Sequence, residues 1–156
     1  MAISITLQQY LVDHQIPYST LEHNPTLSSS RTASAAHVPG GRLIKAIVVK
    51  SAGKYVVALL PASHHLRLNM LEDVLLEKVE LATQDEFYPL FADCSQGAIP
   101  ALGMAFGLEL IVDEGLVSEG EVLFEGGDHS TLVRMQASVF ENLMSNSTHE
   151  HISRHD

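Results

Sequence analysis

Apolar positions along the chain change their spacing several times, and each change marks an element. Leu7, Tyr10 and Leu11 recur at helical spacing behind Thr6-Leu7-Gln8-Gln9, a capping box that satisfies first-turn amides. That helix has to stop before Pro17, because the residue preceding a proline is pushed out of the α region. Tyr18 to Glu22 predicts a short strand, His23-Asn24-Pro25 a turn, and Ser29 or Ser30 to His37 a second helix ended by Pro39-Gly40-Gly41. Leu43 to Lys50 is the strongest strand pattern. Leu43, Lys45, Ile47 and Val49 share one face and Ile44, Ala46, Val48 and Lys50 the other, both largely apolar, as in a central strand covered on both sides.

Ser51-Ala52-Gly53 turns that strand into a second one, Lys54 to Leu60, as a hairpin. Asn69 predicts the cap of a short helix running to Leu76, and Val79 to Ala82 a weak strand. Thr83-Gln84-Asp85-Glu86 is a second capping box, opening a helix toward Leu90. Leu108 to Val112, Val122 to Glu125 and Thr131 to Met135 read as short strands, and Ser138-Val139-Phe140-Glu141 as a third capping box for a helix reaching Met144. Strands that mostly follow one another without intervening helices predict an α+β fold, with a mixed, mostly antiparallel sheet or a partly closed barrel and flanking helices. Residues 1–144 form one expected domain. Residues 145–156, polar and without periodicity, are expected to be a disordered tail.

Composition sharpens this picture in two places. Nearly half of the residues are hydrophobic and 18% are charged, which excludes a disordered chain. No apolar run reaches membrane-spanning length and Met1 to Thr6 lacks the flank and core of a leader, so a cytoplasmic protein that does not engage a membrane is expected. The net charge of −10 argues against a nucleic-acid partner until its distribution is considered. Between Glu22 and Glu72 there is no acidic residue, whereas Arg31, Arg42, Lys45, Lys50, Lys54 and Arg67 all fall there; the window carries +6 and the rest of the chain −16. Such a segment either steers a polyanion to one face or reflects chance spacing on a solvated surface.

Candidate chemistry is sparse. Lys45 is the lone cation on its apolar strand face, so its ammonium either snorkels to solvent at a sheet edge or opens into a polar cavity, where it could hold a phosphate or carbonyl oxygen. Gly97-Ala98-Ile99-Pro100-Ala101-Leu102-Gly103 carries no charge and makes a poor helix; it is either a tight buried connection or a turn whose amides can approach another molecule. The nine histidines lack metal-ligand spacing, with His64 and His65 adjacent and no HExxH, so no metal is expected. Asp128-His129-Ser130 are consecutive and no GxSxG occurs, which gives no serine triad. The lone Cys94 excludes an intrachain disulfide and reads as a packed thiol more readily than as a nucleophile. No dinucleotide or phosphate-loop fingerprint is present, and no cofactor is expected.

Four stretches in order, His23-Asn24-Pro25-Thr26, the Lys45 strand followed by Leu60-Pro61-Ala62, Asp93 to Gly103 followed by Val112-Asp113, and Gly126-Gly127-Asp128-His129, resemble the YbaK/prolyl-tRNA synthetase-associated (INS-type) editing domain family over about residues 5–143. The resemblance implies a mixed sheet or barrel-like core and hydrolysis of the ester joining a wrong amino acid to tRNA. It places Lys45 on the family's functional lysine and Gly97 on the first residue of its Gly-x-x-x-Pro loop, the two catalytic candidates. It makes His23, Ala98, Ile99, Pro100, Ala101 and His129 the substrate-binding candidates, and the terminal ribose hydroxyl of the tRNA an aid to the attacking water. The acid-free window would then meet the acceptor end of aminoacylated tRNA, rather than DNA, through Arg42, Lys50 and Lys54. One position departs from the pattern: Ala101 stands where the family has proline, with Pro100 one place earlier. The resemblance therefore implies a free-standing aminoacyl-tRNA deacylase, and the departure keeps open a module of the same fold that binds tRNA or another ligand without turnover.

Overall fold

Leu43–Ser51 (β2) is the strand on which the sheet is assembled, as its two apolar faces require. The computed structural model describes residues 3–25 and 28–155, except the side chains of Ser29 and Ser30, so Thr26 and Asp156 lie outside the described residues. Around β2 stand β1 (Ser19–Glu22), β3 (Lys54–Pro61), β5 (Val79–Leu81), β6 (Glu109–Asp113), β7 (Glu121–Glu125), β8 (Thr131–Gln136) and β9 (Thr148–Glu150). Among the described residues these eight make one mixed sheet in the order β1-β8-β7-β2-β3-β6-β9, with β5 added beside β2. β2 and β3 form the expected antiparallel hairpin, Ile44 opposite Pro61 through Ser51 opposite Lys54, while β2–β7, β3–β6 and β6–β9 run parallel. A separate ribbon pairs β4 (His64–Leu66) with β10 (Ser153–His155).

The two faces of β2 bury different layers. Ile44 and Val48 join Val57, Leu59 and Phe124 in the largest cluster, which is closed by Leu7 and Leu11 of α1 (Ile5–Asp13) and Phe140 of α5 (Ala137–Leu143). On the opposite face Val49, Val56, Ala58 and Ile111 pack against Leu71 of α3 (Leu68–Leu75) and against Ile152. Leu43 belongs to a third cluster, with Leu123, Leu132 and Ala33 of α2 (Ser29–Ala35). Lys45 falls between the second and third clusters.

Local caps follow the sequence in part. Thr83 closes the expected box on α4 (Gln84–Phe87): its Oγ1 accepts from Glu86 N at 3.3 Å and Glu86 Oε1 accepts from Thr83 N at 2.9 Å. A 3₁₀ turn over Tyr88–Phe91 continues it. The first helix is capped by Ser4 rather than Thr6, with Ser4 Oγ accepting from Leu7 N at 3.2 Å. The Ser138 and Asn69 caps are not formed: α5 begins after Gln136 and α3 after Arg67, neither with a side-chain cap bond.

The tail corrects the expectation of disorder. β9 lies parallel to β6, and β10 antiparallel to β4. Between them Ile152 is fully buried, its N–H donating to Asp113 Oδ1 at 2.9 Å and its carbonyl accepting from Arg67 N at 2.9 Å. Two three-residue strands are too short to show a period, and a single buried isoleucine carries no pattern, so sequence alone registers only polarity. Ile152→Ala should cost about 2–5 kcal/mol of stability, as for other large-to-small changes in a core. A thermal melt should show a drop of about 5 °C or more; an unchanged melting temperature would mean that the tail does not dock.

Candidate functional site

The site begins where β2 loses a neighbour. On one side β2 pairs with β7 only through Leu43 and Ile44, and with β5 only through Val49, Lys50 and Ser51. Val48 O accepts from Ala82 N at 3.0 Å, but Lys45, Ala46 and Ile47 have no strand beside them there among the described residues. A cleft of about 180 Å³ opens at this gap, with Lys45, Ala46, Gly97, Ile99, Glu125 and His129 on its walls and Ser28 and Thr32 of the α2 entry at its rim. Lys45 Nζ donates to the carbonyl of His64, which holds the ammonium at the cleft wall.

Two loops form the opposite wall, and both are held by backbone amides. Glu125, the last residue of β7, accepts at Oε2 from Gly127 N (2.8 Å), Asp128 N (3.2 Å) and His129 N (3.2 Å). Asp128 then accepts at Oδ1 from Ser130 N (2.9 Å) and Thr131 N (2.7 Å), and at Oδ2 from Thr131 Oγ1 (2.9 Å). Burial works to raise the Asp128 carboxyl, but these donors outweigh it and hold it below the ordinary carboxylate range. His129 is thereby kept at a φ of 65°, a left-handed conformation uncommon for a residue with a side chain.

The Gly97 loop is fastened to this one. Ser95 N donates to Gly127 O at 2.7 Å, and His129 Nε2 lies 2.6 Å from Gln96 O. A carbonyl only accepts, so Nε2 carries the proton. Gly97 itself has a φ of +82°, and a Cβ there would lie 3.7 Å from His129 Cε1 and 3.5 Å from Gln84 Oε1. It is glycine because of its backbone conformation more than for lack of space. Ser4 closes the ring, donating from its N–H to Gly126 O (2.8 Å) and from its hydroxyl to Asp93 Oδ1 (2.7 Å). Burial tends to raise Asp93, and the bonds from Thr6 and Ser4 bring it below its ordinary value.

A family model for the aminoacyl-tRNA editing domain matches residues 23–143, most of the chain and all of the site's walls. The chain belongs to the aminoacyl-tRNA editing domain family. Solved structures agree in fold. Hypothetical protein APE2540 is 19% identical, with a TM-score of 0.83 over 96% of this chain and 99% of that one. A "putative trans-editing enzyme for prolyl tRNA synthetase" is 20% identical, with a TM-score of 0.82 over 96% and 95%. A "putative signal transduction protein" from Marinobacter aquaeolei VT8 contains the same fold within a longer chain, at 18% identity and a TM-score of 0.76 over 96% of this chain and 30% of that one. A comparison with curated proteins gave no match.

In this editing domain Lys45, Gly97, Ile99 and His129 come together on one cleft. Ala98, Pro100 and Ala101 do not line it: all three are buried beneath the loop, with Ala101 fully enclosed in the main core. His23 is half-buried and does not line the cleft, its N–H donating to Ser130 O at 2.8 Å and its Nδ1 to Asn24 O at 2.7 Å. Cys94 is buried, which pushes its thiol up to about 12, far from a nucleophile's range. Glu125 was missed by sequence reasoning. Its signal was available, an acid directly before Gly126-Gly127 and a run of unpaired amides, but it is the tertiary gap in the sheet that makes it a wall of the cleft.

The basic window does not fold into one face. Arg42 and Lys50 stand at opposite ends of β2, about 26 Å apart at strand rise. Arg42 Nη1 donates to the carbonyls of Glu119 and Glu121, each at 2.9 Å, and Lys50 pairs with Glu86 (2.6 Å) and Glu80 (3.3 Å), acids from outside the window. Lys54 is exposed at the hairpin. The Lys50 hydrogen bond is the main reason that Glu86 falls from 4.5 to about 2, while Lys50 is raised by the same bond. A carboxyl depressed in the folded state stabilises above its ordinary value and loses that contribution as pH falls toward the folded one. The melting-temperature difference between wild type and Lys50→Gln should therefore be constant near neutrality and shrink from pH 4.5 to 2. A difference independent of pH across that range would show that the pair does not contribute.

Proposed function

We propose that this chain is an aminoacyl-tRNA deacylase, acting in trans on the ester of a mischarged tRNA. The observation that carries the reading is the convergence of Lys45, Gly97, Ile99 and His129 on one cleft at the break in the sheet. An aminoacyl ester is already reactive, so a site for its hydrolysis mainly has to position water and stabilise the oxyanion. The Ala98 amide is committed to Ser95 O at 2.9 Å, whereas those of Gly97 and Ile99 donate to no other described group. These two amides are the donors assigned to the oxyanion, and Lys45 is assigned to a carbonyl or phosphate oxygen. Water adds to the ester carbon, the bond to the ribose oxygen breaks, and that oxygen leaves with a proton from the water, relayed by the neighbouring ribose hydroxyl. His129, locked on Gln96 O, holds the two loops in register.

The cleft volume also bears on substrate class. About 180 Å³ is well under the roughly 300–1,000 Å³ of ordinary ligand pockets. It suits a small aminoacyl group while the nucleotide stays outside. The position that departs from the family pattern, Ala101, is packed in the core away from the cleft, so the departure is a matter of loop packing and gives a non-catalytic module no support.

A panel of tRNAs charged with alanine, serine, cysteine or proline should include at least one that the protein deacylates. Lys45→Ala should lower that rate by about a hundredfold or more, the scale of losing an oxygen-stabilising donor. Its melting temperature should stay close to the wild type. Activity should persist in a chelator, since the described residues hold no group of three or more potential metal ligands. A Lys45→Ala protein at the wild-type rate, or a loss to chelator restored by zinc, overturns the mechanism.

A further inference from the structure

Glu125 has no part in the steps above, yet it is the one carboxylate among the described residues lining the cleft. Its three hydrogen bonds all fall on Oε2, from the amides of Gly127, Asp128 and His129, and Oε1 receives none of them. A carboxylate accepts at both oxygens, through about four lone-pair sites. Holding the loop therefore accounts for half of the group. A half-buried anion in a cleft that receives the end of a polyanion is costly unless the ligand brings a cation to it.

An aminoacyl ester brings one, its α-ammonium, separated from the ester carbonyl by a single carbon. We propose that Glu125 Oε1 accepts from this α-ammonium, so that the cleft takes aminoacyl esters whose amine is free and protonated and rejects N-acylated ones. The inference rests on the deacylase reading for its substrate. Lys45 and Glu125 then form a charge pair on the cleft that matches the substrate's own polarity: ammonium to Glu125, ester or phosphate oxygen to Lys45. With the amine anchored, the carbonyl is confined to the space between Glu125 and the Gly97 loop. An opposing carboxylate also favours the protonated amine, and a positive charge next to the ester carbon draws electrons from it and favours attack by water.

The test uses binding, which does not depend on turnover. The probes are 3′-alanylamino-3′-deoxyadenosine, an amide in place of the ester, and its N-acetyl derivative, titrated calorimetrically at pH 6.5. Wild type should bind the free amine about ten- to a hundredfold more tightly, the usual worth of a hydrogen bond to a charged group. Its affinity should fall as pH rises through the amine's pKa of about 7.7. Glu125→Gln keeps a carbonyl oxygen for the three loop amides, so the amide NMR signals of Gly127 to His129 should hold their positions. The variant should bind both probes alike, with a flat pH profile. Wild type that binds the two probes equally or binds neither, or a Gln variant that keeps the preference, overturns the proposal; the wild-type comparison decides even if the variant does not fold. A protein that prefers the amine but deacylates nothing keeps this site and loses the enzyme, and one that deacylates without the preference does the reverse.

Discussion

A lysine in the middle of a strand with apolar cover on both faces must deliver its ammonium to an acceptor, and the architecture around Lys45 is arranged by that requirement. Leu43 and Val49 on the same face bury into different clusters, and the break between those clusters is where Lys45 lies. Its acceptor is the carbonyl of His64, at the start of β4. β4 is held in place by β10, by Ser153 Oγ within 2.8 Å of His64 Nδ1, and by the Arg67 N–H on Ile152 O. The C-terminal residues are far from the site in sequence and outside the matched family region. They nevertheless support the strand whose His64 carbonyl receives the Lys45 ammonium.

The facing wall is organised by amides instead of side-chain packing. Glu125 and Asp128 between them accept from the backbone N–H groups of residues 127 to 131, and the Ser95 and Gln96 bonds tie the Gly97 loop to that turn. Such a wall is fixed by the fold itself, so under the proposed deacylase reading its donors would need little reorganisation toward a developing oxyanion. On the proposed reading it also leaves Glu125 Oε1, which accepts none of the three loop bonds, for the substrate's amine. The cleft thus has a cationic side in the middle of β2 and an anionic side at the end of β7, and the gap in sheet pairing separates them.

Several of these features were legible in the residues. Both apolar faces of 43–50 gave the central strand, Ser51-Ala52-Gly53 the hairpin, and Thr83 with Glu86 the reciprocal cap, because each is decided by neighbours within a few positions. The Gly97 and Gly126-Gly127-Asp128-His129 stretches were legible as loops with a family resemblance, and the family match bears that out. The basic window was misleading in a specific way. Charge counted along the chain says nothing about which acids fold against it, and Lys50 meets Glu80 and Glu86 from a later segment.

Local chemistry, then, was determined by sequence alone: periodicity sets which face of a strand is apolar, and glycine or a capping hydroxyl sets where the backbone can turn. Tertiary structure alone decided which of those residues share a cleft. Ala98, Pro100 and Ala101 sit beside Gly97 and Ile99 in sequence and are buried beneath them, since the chain turns into the core at Ala98 and again from Pro100 to Leu102. Glu125 and Lys45 are eighty residues apart and meet because β7 leaves β2 after two paired positions. The order of 148–155 was likewise invisible, because a strand of three residues gains its stability from the partner's hydrogen bonds and from one buried isoleucine, and neither is written in the polar pattern of the segment itself.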